Sequence, residues 1–200
     1  DAEYTYRISS QGADGREYES RKPYLFDSSF YYQLPDKSNA PSPYPNDDLS
    51  SVIQGAAKRI VSQSRINKGY CLILGSAEGR LAYELARLTE LQIVVVEPDA
   101  AKARAIREKL NKAGLYGVRV SVHHGALDEL PYGPYFANLI VSGSMLMDGE
   151  FPGPDAAELW RVLRPAGGVA MLGQAKGGLK PDALRQWFDK AGVKCVVRSD

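Results

Sequence analysis

The stretch LILGSAEGRLAYELA, Leu72 to Ala86, decides how this chain is read. A short apolar run, completed upstream by Gly69-Tyr70-Cys71, ends in a turn with glycines at 75 and 79. Leu81, Leu85 and Leu88 then recur at helical spacing. Strand, glycine turn and helix in that order form the unit from which a parallel sheet is built. A backbone without Cβ at Gly75 and Gly79 lets a ligand approach the amides that open the helix.

The same alternation continues outward. LQIVVVE is a second apolar run, and Pro98-Asp99 opens a helix with Ala103, Ile106, Leu110 and Ala113 facing inward. GVRVSVHHG and FANLIVSGS read as the third and fourth strands. A helix around Asp155 to Leu163 leads through RPAGG to VAMLG, the fifth. Pro181 starts a helix carrying Leu184, Trp187 and Phe188, and VKCVVRS reads as a sixth strand. On the upstream side, Asp47 or Asp48 caps a helix with Leu49, Val52, Ile53, Ala56 and Ile60 at helical spacing. Strands this apolar are covered on both faces, so the fold class is a doubly wound α/β domain with a mainly parallel sheet. Ligands of such sheets bind beyond the strands' carboxyl ends, which directs attention to the loops after Leu74, Val96, Val122, Val141 and Leu172.

Residues 1 to 46 differ. Seven of the twelve tyrosines lie there among prolines and turn formers, and the segment is expected to be an extended arm ahead of an α/β domain over 47 to 200. Its aromatics, Tyr24, Phe26, Phe30, Tyr31 and Tyr32, suit either pasting onto the domain or meeting a partner or substrate. Lys and Arg number 25 against 24 Asp and Glu, with no basic stripe, so nucleic acid is not an expected partner. No run approaches the roughly 18 to 20 apolar residues of a membrane span. Asp1 opens no signal-peptide pattern, and the compartment stays open. Cys71 and Cys195 sit in apolar runs and read as two buried thiols, without metal-ligand spacing.

Among candidate polar groups, Glu97 closes the second strand 18 residues after Gly79. An acid there accepts hydrogen bonds from both hydroxyls of a ribose, or serves as a carboxylate at a helix N-terminus. His123 and His124 are neighbours on a strand, point to opposite faces, and so do not address one ion. Glu78, Tyr83 and Asp128 could each face a substrate, but no spacing picks out a catalytic base. Met145 and Met147 read as packing residues.

Over roughly residues 50 to 198 these motifs resemble the class I S-adenosylmethionine-dependent methyltransferases. The resemblance rests on LILGSAEGRLAYELA, VVVEPDAAKARAIREKL, VHHGALDELPY, FANLIVSGSML and ELWRVLRPAGGVAMLG. It implies S-adenosylmethionine as cofactor and an unidentified methyl acceptor. Gly75, Ser76, Ala77 and Gly79 would line the methionine part and Glu97 would hold the ribose. Pro98 and Leu127, with Gly125 and Ala126 of the third motif, would border the adenine, and Ser142 would lie below the sulfonium. The chain is also similar to methyltransferase-like domains joined to bacterial PQQ-type β-propellers. That implies an excised piece with an adjoining propeller and a sheet lacking its seventh strand. A dinucleotide pattern would need a third glycine where Arg80 stands.

Departures from the family pattern are Ile73, Ala77, Ala126, Asn138 and Gly143, positions where acids or a glycine are frequent. Each charge-assisted hydrogen bond lost is worth about 1.5 to 3 kcal/mol. A non-catalytic domain that keeps the fold as a scaffold is therefore the alternative to an enzyme.

Overall fold

The computed structural model describes residues 3–20, 24–27, 41–174, 180–194 and 196. The chain divides into two compact units, Asp1–Pro35 and Asp36–Asp200.

In the first unit, β1 (Glu3–Tyr6) pairs antiparallel with β4 (Tyr24–Asp27), and β2 (Ser9–Gln11) pairs with β3 (Glu17–Glu19). The segment expected to be an extended arm thus contains two antiparallel ladders. Each of these strands has only three or four residues, too few to show a period. Phe30, Tyr31 and Tyr32 lie outside the described residues.

The second unit begins with α1 (Asp48–Ser64). Asp47 caps it by accepting from the Ser50 amide at 2.8 Å, and Ile53, Ala57 and Ile60 form its buried face. Then follow β5 (Lys68–Leu74), a single 3-10 turn (Ala77–Gly79), α2 (Arg80–Leu88), β6 (Glu90–Glu97), α3 (Ala100–Lys112) and β7 (Val120–His124). The remaining elements are β8 (Leu139–Ser142), α4 (Gly143–Asp148), α5 (Ala156–Val162), β9 (Val169–Met171) and α6 (Pro181–Lys190).

Five strands form one sheet in the order β7-β6-β5-β8-β9, every neighbour parallel. The chain runs from β5 through β6 to β7, then returns to the other side of β5 as β8. The strand order therefore reverses between β6 and β8, and the crevice rule points at the carboxyl ends of β5, β6 and β8. Alternate residues of the central strand serve opposite faces. Cys71 and Ile73 join Ile53, Leu81, Leu85, Ile106 and Leu110 in one core, while Leu72 and Leu74 join Leu159, Val162 and Leu163 in the other. This is the doubly wound α/β architecture, with helices on both faces.

Local chemistry sets the boundaries. Asp99 caps α3 through the Ala101 and Lys102 amides at 2.8 and 3.0 Å. β7 starts at Val120 because the amides of Arg119 and Val120 both turn back to the Leu115 carbonyl. Leu88, expected on the inner face of α2, is exposed, as the helix ends there. Two details were not anticipated. α4 follows β8 directly, its six residues too few to show a helical period, and Ala56, expected inward on α1, is only half-buried. Most of the predicted sixth strand, including Cys195, lies outside the described residues. Among the described residues no helix is long and apolar enough to cross a membrane.

Candidate functional site

The loop after β5 is held in an unusual conformation. Gly75 has φ +68° and its amide donates to the Val96 carbonyl at 3.0 Å, while Gly79 has φ +80° and donates to Ser76 at 2.7 Å. Between them Ala77 and Glu78 also take positive φ, +42° and +57°. Two consecutive side chains in a region that favours glycine are strained, at about 1 to 2 kcal/mol per residue.

Several contacts hold that strain. The Glu78 carboxylate lies 3.5 Å from Arg80 Nε and 3.6 Å from Lys109 Nζ. Arg80 is buried at the start of α2, and its guanidinium forks onto Asp47 at 2.8 and 3.1 Å and donates to Ser50 Oγ at 2.6 Å. The Tyr44 ring lies 5.3 Å from the Arg80 guanidinium carbon and meets Tyr83 edge-on at 5.6 Å. Hydrogen bonds from the Ser50 amide and from Arg80 keep the Asp47 carboxyl below its usual range, and burial raises the Tyr44 hydroxyl. The sequence reading missed this brace, since Tyr44 was assigned to the arm. Its one available signal was an arginine directly after the loop's last glycine. A cleft of about 210 Å³ between residues 42–46, α1 and α2 is lined by Tyr44, Asn46, Gln54 and Arg80, but not by Glu97.

Across the crevice, the turn from β8 into α4 closes on the same loop. A Cβ on Gly143 would fall 2.6 Å from the Gly75 carbonyl oxygen and 3.0 Å from the Ala77 amide nitrogen. A Cβ on Gly75 would fall 3.0 Å from the Ser144 side chain. Ser142 is buried and its hydroxyl is engaged with Leu74 O at 3.3 Å, Ser144 Oγ at 3.1 Å and the Met145 amide at 3.1 Å. Its local task is to cap α4.

At the end of β6, Glu97 is 4% exposed. One carboxylate oxygen accepts from the Asp99 amide at 3.0 Å, and the other takes no hydrogen bond among the described residues. That second oxygen is not among the fully buried polar atoms that lack a partner, so it reaches the surface of the crevice and is available to accept from a ligand or water. Beside it the Gly125 amide donates to the Glu97 carbonyl at 3.2 Å, and the space a Cβ would occupy on Gly125 is open. Ala126 and Pro98 are exposed, and Leu127 is half-buried against Gly153. An open acceptor next to open backbone suits a ribose and its base, so the residues present fit the nucleoside of the implied cofactor.

The structure separates departures that touch this site from those that do not. Ile73 is fully buried in the core toward α1, α2 and α3. Asn138 lies just before β8, at the amino end of the sheet, where its Oδ1 accepts from the Tyr70 amide at 3.0 Å. Neither faces the crevice, whereas Ala77 and Gly143 do.

Of the other candidates, His124 lies at the edge of this site, in register with Glu97 on the neighbouring strand. Tyr83 is buried against Tyr44, whereas Glu78 is exposed and lies beside two cations. His123 Nδ1 lies 2.8 Å from the Tyr132 hydroxyl, which burial pushes up to about 12, and the two rings stack at 6.0 Å. His124 is exposed. Among the described residues no three His, Cys, Asp or Glu side chains gather as a metal site. Met145 is fully buried and Met147 packs against the core, as expected.

Comparison with known proteins agrees with this geometry. Residues 71–167 match a family model described as a methyltransferase domain. No curated protein sequence matches the chain. Among solved structures, a protein of Methanococcus maripaludis assigned as an S-adenosylmethionine-dependent methyltransferase aligns with TM-score 0.55 and 23% identity, over 72% of this chain and 64% of its own. One from Galdieria sulphuraria, assigned as a sarcosine dimethylglycine methyltransferase, gives 0.50 and 20%, over 70% and 54%. A SAM-dependent methyltransferase of Aquifex aeolicus gives 0.54 and 16%, over 74% and 90%. The chain spans less than two thirds of the first two proteins. Identities this low speak for the fold, and the family model adds the motif region. Residues 71–167, just under half of the chain, thus match a methyltransferase domain, and the α/β domain has the fold of solved S-adenosylmethionine-dependent methyltransferases.

Proposed function

We propose that the domain binds S-adenosylmethionine across the carboxyl ends of β5, β6 and β7 and transfers its methyl group to an acceptor. The observation that carries this is the open carboxylate oxygen of buried Glu97, set beside open backbone at Gly125. Glu97 accepts from the ribose hydroxyls, while Pro98, Gly125, Ala126 and Leu127 border the base. The rest of the cofactor extends toward Gly75, Ser76, Ala77 and Gly79, with Ser142 beneath them. The cofactor supplies an activated methyl on a sulfonium. The chain's part is to hold it and exclude water. Transfer of this kind rests mainly on in-line positioning of the acceptor.

Calorimetric titration of the full chain with S-adenosylmethionine and S-adenosylhomocysteine tests the reading. Binding tighter than about 100 μM, or roughly −5.5 kcal/mol, is expected, with loss in Glu97→Ala. No heat at millimolar ligand from a folded sample would overturn it.

A further inference from the structure

The crevice is unequal on the two sides of Glu97. Strand order places β7 on one side of β6, and β5 followed by β8 on the other. Toward β7 the surface is open: nothing lies within 4 Å of the position a Cβ would take on Gly125, and Ala126 and Pro98 are exposed. Toward β5 and β8 the chain has closed on itself. The Gly75 carbonyl and the Ala77 amide are packed against Gly143, Ser144 abuts Gly75, and the Ala77 methyl lies 3.2 Å from where a Gly143 Cβ would stand. The Gly75 carbonyl and the Ala77 amide are thus covered by protein, and the Ser142 hydroxyl already has three partners.

A ligand whose ribose sits on Glu97 has room for its base and little for what hangs from the 5′ carbon. Only groups reached by open donors or acceptors add affinity, since buried polar groups already satisfied gain nothing from a new partner. We propose that the site recognises the nucleoside, so that adenosine derivatives lacking the amino-acid half of the cofactor bind it about as well as the complete molecule. The proposal rests on the cofactor reading above and specifies which half is recognised. Ala77 and the β8–α4 turn are its specificity determinants.

The full chain is titrated calorimetrically with S-adenosylhomocysteine, 5′-methylthioadenosine and 2′,3′-dideoxyadenosine. Expected are dissociation constants for the first two within fivefold of each other, and at least tenfold weaker binding of the dideoxy compound, which offers Glu97 no hydroxyl. Ala77→Gly, which removes the methyl packed on Gly143, is expected to tighten S-adenosylhomocysteine at least threefold and leave methylthioadenosine within twofold. Homocysteine adduct binding more than fivefold tighter than methylthioadenosine would overturn this inference while leaving the cofactor reading intact. Dideoxyadenosine binding as well as methylthioadenosine would overturn it too, by removing the ribose anchor. Silence from all three ligands would overturn both.

Discussion

Gly79 is the loop residue whose replacement has the most calculable consequence. It takes φ +80°, and a Cβ there would lie 2.7 Å from both Ile106 Cγ2 and the Tyr44 hydroxyl. Alanine at this position incurs backbone strain of about 1 to 2 kcal/mol. Crowding against Ile106 and Tyr44 adds about 1 to 3 kcal/mol, and lower unfolded-chain entropy returns about 0.4 to 1 kcal/mol. The net loss is about 3 kcal/mol, or roughly 6 to 12 °C in melting temperature for a domain of this size. Two other glycines isolate the terms. Gly117 has φ +75° with nothing within 4 Å of an added Cβ, so Gly117→Ala carries strain alone and loses about 1 kcal/mol. Gly55 lies on the exposed side of α1 with open space around it, so Gly55→Ala gains about 1 kcal/mol from helix propensity. Thermal melts of the three variants, followed by circular dichroism, should rank Gly55→Ala above wild type, Gly117→Ala slightly below and Gly79→Ala far below. Gly79→Ala melting within about 2 °C of Gly117→Ala would refute the packing of Ile106 and Tyr44 on the loop.

Other outcomes follow from single contacts. Ser142→Ala removes the cap of α4 and should cost about 1 kcal/mol in urea unfolding. Glu158 accepts from Arg161 at 2.6 and 2.7 Å and from the Leu130 amide at 3.0 Å. Arg161 first, then the Leu130 amide, hold its carboxyl below the usual range against some desolvation. A depressed folded value gives stability that is full above the unfolded value and is lost as pH falls through the folded one. The melting-temperature gap between wild type and Glu158→Gln should therefore be widest near neutrality and shrink in acid. Burial raises the Cys71 thiol far above its usual range, so thiol reagents should label Cys71 in the native protein only at the rate of unfolding, as read by peptide mapping.

Much of the fold was legible because it is written in short-range periodicity. β5, β6, α2, α3 and α6 follow from runs and spacings within about a dozen residues, and Asp47 and Asp99 announced their helices as caps. α4 and the tyrosine-rich ladders were not, because elements of three to six residues show no period. Of the proposed site, the two glycines and Glu97 were picked out by spacing along the chain. Ile73 and Asn138 were read as losses to that site, yet one is core and the other ties down Tyr70 at the far end of the sheet. Sequence position gives a strand residue its face only once the strand's neighbours are known.

The sequence by itself determined that this chain would build a parallel sheet with a glycine turn at its centre and an acid one strand away. Hydrophobic pattern and turn chemistry act locally and need no knowledge of the remainder. Only the tertiary structure decided the state of the turn. Strand order brings Gly143 and Ser144 onto Gly75 and Ala77, and Asp47 onto Arg80, across more than 30 residues in each case. It also leaves one oxygen of Glu97 without a partner among the described residues. Which polar atoms remain open depends on what the fold packs against them, and that is set by contacts no local pattern records.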